Sequence, residues 1–250
     1  MPTFIHGKST GVFIDTYDLS AYFNSADYSS SNDTAETTSF SSSAKSYITG
    51  LNDATLSLSG LFEQNADGTD VVLSTILGSA TTPIVTVALA TGTIGNRGYL
   101  GRAHETSYSI SSPVADVTSV SADFNASSEA NSTTYGLRSG VMLTTGASIL
   151  YSALAALSSV DNTTSSLVGA MSTLHVTANT ITGGTTTIKV QHSTDNSVWV
   201  DLITFTAVAA STTAKQLSSV TGTVNRYVRV LPTTAGSAGS ITFNVGFARN

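Results

Sequence analysis

The chain has 250 residues, with 16 acidic side chains against 10 basic ones, a formal charge of −6 and only a tenth of its residues charged; this balance argues against a basic nucleic-acid-binding surface. It contains no cysteine, which excludes disulfides, thiolate metal centres and a cysteine nucleophile. Hydrophobic residues make up 40%, enough for a core in one or two domains, while no run reaches the roughly 18 apolar residues of a membrane span and the first residues lack the charged-then-apolar pattern of a signal peptide.

The charge is unevenly divided. Residues 1–138 hold thirteen acids and five bases, a balance of −8, and residues 139–250 hold three acids and five bases, a balance of +2. Two domains with different surroundings are expected, with the boundary near Arg138. Ser, Thr, Ala and Gly fill the places that charged residues usually take, a composition that favours strands and turns over helices.

In chain order, Phe4–Tyr17 reads as an entry arm and a first strand. The stretch 24–46 is almost entirely Ser, Thr, Asp, Asn and Ala. It buries little apolar area and reads as a long loop, mobile in a monomer, in which Thr34–Phe40 becomes a strand once something packs on it. From Gly50 to Glu63 the pattern has period two: Ala54, Leu56, Leu58 and Phe62 on one face, Thr55, Ser57, Ser59 and Glu63 on the other. That is a half-buried antiparallel strand. A turn signal at Asn65–Gly68 follows, then Val72, Leu73, Ile76 and Leu77 at helical spacing. The helix is expected over about 70–77, capped by Thr69 or Asp70 and ended by Gly78.

Pro83–Ala90 is a strongly apolar strand and 92–101 a glycine-punctuated loop. Arg102–Ser111 and Val114–Asn125 form a strand pair joined at Ser112–Pro113, with Val114, Val120 and Phe124 on the apolar side. A polar link runs from Ala126 to Tyr135. Ser148–Ser158 fits helix and strand equally. Five alternating strands follow, Leu174–Ala178, Thr187–His192, Trp199–Phe205, Tyr227–Leu231 and Ile241–Phe247, separated by turn residues. Short strands at regular spacing imply a β-sandwich or jelly roll.

Motifs that carry chemistry are sparse. His175 and His192 would form half a metal site only if their strands were neighbours, and no third ligand suggests itself. Asn65–Asp70 hints at a calcium loop but lacks the glycine and glutamate positions of a full one; a turn leading into a helix accounts for the same residues. No Gly-x-Ser-x-Gly elbow or phosphate-cradling glycine loop occurs. Trp199, beside the Asp195–Ser197 turn, is either a sugar-stacking platform or a seal on the rim of the core.

The order of Asp18-Leu-Ser20, Glu36-Thr-Thr38, Phe40, Lys45, Gly50-Leu51, the Thr55–Glu63 strand with its short helix, and Pro113-Val-Ala-Asp-Val117 resembles a tail tube (major tail) protein of a long-tailed bacteriophage over about residues 1–138. Residues 139–250 resemble the galactose-binding or jelly-roll-like module appended to some phage tail proteins, through Leu174-His-Val176, Gln191–Leu202 and Tyr227–Val230. The resemblance implies a mainly β chain: an N-terminal tail-tube β-sandwich or barrel with one flanking α-helix (1–138), and a C-terminal antiparallel β-sandwich (139–250) decorating the outside. It implies a virion protein, made in the host cytoplasm, that forms stacked hexameric rings around a lumen that passes DNA without binding it specifically. The stretch 24–46 would stack the rings. Its partners would be itself and the tape measure, tail terminator and distal tail proteins, with no membrane, cofactor, metal or catalysis. An outer domain would obstruct a sheath, which favours a non-contractile tail. Asp33, Glu36, Asp53, Glu63, Asp67 and Asp123 are the candidate lumen-facing acids. The alternative is a carbohydrate-binding surface protein working through Trp199.

Overall fold

The structure is a computed structural model and describes residues 5–127 and 136–250. Most of the expected polar link, residues 128–135, lies outside the described residues. In chain order the strands are β1 (Gly11–Ile14), β2 (Tyr17–Asp18), β3 (Phe23–Glu36) and β4 (Tyr47–Leu61), then helix α1 (Thr69–Ile76), then β5 (Ile84–Ala88), β6 (Arg97–Ser111), β7 (Ser119–Ala126) and β8 (Arg138–Met142). There follow β9 (Ser148–Leu150), β10 (Val160–Asp161), β11 (Ala170–Asn179), β12 (Thr185–Ser193), β13 (Val200–Thr204), β14 (Val208–Ala209), β15 (Ala214–Val220), β16 (Tyr227–Thr234) and β17 (Ser240–Arg249). The fold is mainly β, and the strand pairings are antiparallel throughout.

The first core lies between two halves of one sheet. The period-two pattern of β4 puts Ala54, Leu56 and Leu58 inward, where they meet Val12, Ile14, Val85, Val87, Val120 and Phe124. Helix α1 adds Val72 and Leu73 and packs on β6 and β7. Strand β6 makes the closure possible. Its first residues pair with β5 and β8, and from Ala103 onward it pairs with β7. The change of partner falls at Gly101, whose φ of 149° suits glycine; a Cβ there would stand 2.0 Å from the Gly136 carbonyl oxygen.

The second core is a sandwich. One face is β11, β15 and β17; the other is the five-stranded sheet β10-β16-β12-β13 with β14. Leu174, Val176, Ile188, Val190, Val228, Val230, Phe243 and Phe247 fill it. The first face is not a separate sheet, for β8 pairs with β6 on one side and β17 on the other. In the order β11-β17-β8-β6-β5, three strands separate β11 from β5. Even so, Thr86 on β5 bonds Thr173 and His175 on β11, so the sheet folds back on itself.

Several expectations are corrected. Residues 24–36 are not loop: they pair with β4 along its length, because a polar chain with little to bury can still satisfy its backbone on a neighbouring strand. Helix α1 is capped by Gly68, not by Thr69 or Asp70. The Thr69 hydroxyl donates to the Leu61 carbonyl and accepts from the Glu63 amide, and Asp70 accepts from Tyr108. Val114 is fully exposed in the turn 112–118, while Val120 and Phe124 are buried as expected. Ser148–Ser158 holds β9 and one 3₁₀ turn, Tyr151–Ala153. The second half also contains β8, β10, β14 and β15, which sequence pattern missed.

A candidate assembly surface

The outward face of the β3–β4–β7–β6 sheet follows from register. Directly opposed residues share a face, so the rows are Ser29, Thr55, Asn125 and His104; then Asp27, Ser57, Asp123 and Ser107; then Ser25, Ser59, Ser121 and Ser109; then Leu61, Ser119 and Ser111. Most positions carry a hydroxyl, two are acids, one is His104, and none is Lys or Arg. Ser57 and Ser107 donate to the two Asp123 oxygens at 2.6 and 2.7 Å. These bonds hold the Asp123 carboxyl below its ordinary value and keep it ionised. Ser25 donates to Asp27 at 2.8 Å, and the hydroxyls of Ser109 and Ser121 lie 2.7 Å apart. The face is a hydroxyl lawn with fixed negative charge.

The sheet has two open edges. Among the described residues, strand β3 pairs with β4 alone, and β6 beyond Ala103 has β7 as its one neighbour. Each edge presents unpaired backbone donors and acceptors, a template for another strand. Three antiparallel steps separate the edges, so β3 and β6 run in opposite directions.

Beyond Thr55, the last β4 residue to pair with β7 on this side, β3 and β4 continue as a bare ribbon. Past the buried Ala54, both its faces are exposed. Thr37 and Ser46, Asn52 and Asn32, and the Lys45–Glu36 ion pair at 3.2 Å tie its strands together. It carries exposed Phe40, Tyr47, Ile48 and Leu51. A two-stranded ribbon in water is marginal, and exposed apolar groups on it imply a surface that covers them.

The candidate acids separate. Asp123 lies at the centre of the hydroxyl face, and Asp53 sits opposite Ser31 where the ribbon begins. Asp33 occupies a bulge in the ribbon, against Gly50, and Glu36 pairs with Lys45. Glu63 lies past the end of β4, accepting from the Asn65 amide. Asp67 lines a polar cleft of about 430 Å³ with Thr16, Tyr17, Asp18, Thr177 and Thr213. Asp27 was missed because its stretch read as loop; as strand, alternation puts it beside Ser57 and in the row of Asp123.

Glu105 was also missed. It sits on β6 opposite Phe124, 6% exposed, and among the described residues neither carboxyl oxygen has a hydrogen-bond partner. Burial pushes its pKa up to about 8, so it is neutral at pH 7. Nearby, the Tyr108 hydroxyl donates to Asp70 on α1 at 2.6 Å.

Elsewhere, Trp199 is half-buried, with the Arg229 guanidinium over its ring at 4.1 Å. Arg229 donates twice to the Gln191 side-chain oxygen, and Gln191 donates to Asp201. One face of the indole is therefore occupied, which weighs against a sugar-stacking platform. The strands of His175 and His192 lie in different sheets, and among the described residues no cluster of metal-ligating side chains occurs.

No protein-family model matches the chain, and no curated protein matches it. Among solved structures it is similar to a chain of the virion of a native gene transfer agent (GTA) particle, with 18% identity, TM-score 0.43, and coverage of 49% of this chain and 94% of that one. It is similar to a chain of the tail of an empty GTA particle of C6 symmetry, with 19% identity, TM-score 0.40 and coverage of 49% and 94%. It is also similar to the SPP1 Dit protein, a hub of the adsorption apparatus in phages infecting Gram-positive hosts, with 10% identity, TM-score 0.33 and coverage of 90% and 98%.

Proposed function

We propose that this chain is a structural subunit of a phage-type tail tube, assembling into rings whose inner wall is the hydroxyl face of the β3–β4–β7–β6 sheet. The observation that carries the reading is a sheet with two open, oppositely directed edges and an acid-bearing outward face without Lys or Arg. Joining β3 of one copy to β6 of the next satisfies both edges in antiparallel register. Four strands at about 4.8 Å give about 19 Å per copy, so six copies close a wall about 115 Å around and about 37 Å across before strand tilt widens it. Asp27, Asp53 and Asp123 then face the lumen, where like charge repels phosphate and hydroxyls exchange hydrogen bonds with water, so a duplex slides without adhering. The ribbon of β3 and β4 projects along the axis and joins ring to ring. The second half sits outside the wall, and tape measure, terminator and distal proteins meet the tube at its core and ends. No step in this role is catalytic.

Electron microscopy of the purified protein across a range of concentrations tests it. Rings or striated tubes with a central hole are expected. A monodisperse monomer at every concentration, also in the presence of preformed tail initiators, would overturn it.

A further inference from the structure

The ribbon leaves the β3–β4–β7–β6 sheet at one end only. At the other end lie Leu61, the last residue of β4, and the turn 112–118 between β6 and β7, because Leu61 pairs with Ser119 and Ser119 with Ser111. This far end is apolar. Val114 and Val117 are exposed in the turn, and Ile110 and Leu61 beside it are each more than 40% exposed. Among the described residues, the turn valines belong to no buried cluster.

We propose that this far end, Leu61, Ile110, Val114 and Val117, is the seat for the β3–β4 ribbon of a second copy, with Phe40, Tyr47, Ile48 and Leu51 as the side chains that meet it. The proposal rests on the tube reading and adds to it the address of the axial contact. Direction is the first argument. Two patches on opposite ends of one sheet, facing opposite ways along its strands, are joined by translation; such an interface is heterologous and repeats without closing. Chemistry is the second. Both patches are exposed and apolar, and each covers the other's exposed surface. Reach is the third. Tyr47–Asp53 extends past the last β7 pairing and the buried Ala54, and at about 3.3 Å per residue this stretch projects about 23 Å, enough to lie against the end of the next subunit.

The chain has no cysteine, so single introduced thiols report position cleanly. Ile48→Cys and Val117→Cys proteins are mixed under conditions in which the unaltered protein forms tubes, then treated with a short bismaleimide. A cross-linked dimer is expected from the mixture and from neither protein alone. Ile48→Cys mixed with Val200→Cys, an exposed position of the second half, should give none. A Val114→Asp/Val117→Asp variant should keep its strand content and form rings that do not stack. If the unaltered protein forms tubes but the Ile48/Val117 mixture links no more than the Val200 control, or if the double aspartate variant stacks normally, the seat is wrong and the tube reading stands. If the unaltered protein never assembles, the tube reading falls and the seat with it.

Discussion

Burying Glu105 without a partner raises its pKa from 4.5 to about 8, so the folded chain holds a proton that the unfolded chain has released between those values. The sign follows: stability is greatest below about pH 4.5 as far as this group is concerned, and falls as pH rises toward 8. At about 1.4 kcal/mol per unit of difference, the loss has an upper limit of about 5 kcal/mol. Glu105→Gln removes the ionisation and keeps the shape. Its urea midpoints at pH 5 and pH 8.5 should differ far less than those of the unaltered protein; equal slopes for the two would show that Glu105 ionises freely. The hydroxyl face depends on charge in another way. Asp27 and Asp123 share one row between serines, and replacing both with lysine leaves the buried side of the sheet untouched. Asp27→Lys/Asp123→Lys tubes should retain duplex DNA at low salt and release it steeply as salt rises, while unaltered tubes retain none in a filter-binding assay.

Among the elements, the β3–β4 hairpin serves two roles that its sequence does not separate. Residues Phe23–Ser31 belong to the sheet, paired with Asp53–Gly60, and removing them would strip Leu56 and Leu58 of a flanking strand. The ribbon beyond is exposed on both faces and contributes little to the core. Trimming residues 34–49 and closing the strands with Asn-Gly should change the stability of the subunit by less than about 1 kcal/mol, since surface substitutions away from the core cost little. The same change should abolish stacking while rings still form, read by electron microscopy beside a chemical denaturation curve. A large loss of stability would mean that the ribbon supports the fold itself.

Across the whole molecule, the two cores are joined through a buried seam. Thr86 on β5 bonds Thr173 at 2.9 Å and His175 at 2.8 Å. The other ring nitrogen of His175 bonds the Asp15 carbonyl oxygen at 2.6 Å, and the Asp15 carboxylate accepts from the Ile84 amide and pairs with Lys215 on β15. Phe13, Ala88 and Met142 form a small apolar cluster drawn from β1, β5 and β8, and Leu100, Met171 and Ala248 form another drawn from β6, β11 and β17. Burial holds His175 neutral, its pKa lowered to about 4, so its contribution is full above about 6.5 and is lost as pH falls toward 4. Set against the opposite slope of Glu105, this predicts a stability plateau between about pH 4.5 and 6.5. His175→Ala takes one of two partners from the Thr86 hydroxyl and the ring donor from the Asp15 carbonyl, beside a cavity, and should cost about 2–4 kcal/mol. The unaltered protein should melt in one calorimetric transition, and the variant should melt earlier and separate into two.

How much of this was legible beforehand differs between the two levels. Local pattern sufficed for β4, α1, β5 and the main strands of the second half, because alternation and helical spacing are properties of neighbouring residues and need no partner to be read. It also sufficed for the β class and for the absence of thiol chemistry. It failed at β3, where a run of Ser, Asp, Asn and Ala has no hydrophobic period and becomes a strand only by backbone pairing with β4. It failed at Val114, whose apolar side chain matches a strand pattern but lies past the end of the pairing. Asp27, Asp123 and their serines form one face only through register, a relation between residues up to 96 positions apart. By itself the sequence determined which segments can be strands and where negative charge is concentrated. The tertiary structure alone decided which edges stay open, which acids stand together and that Glu105 is sealed from water, because those depend on which strand lies beside which.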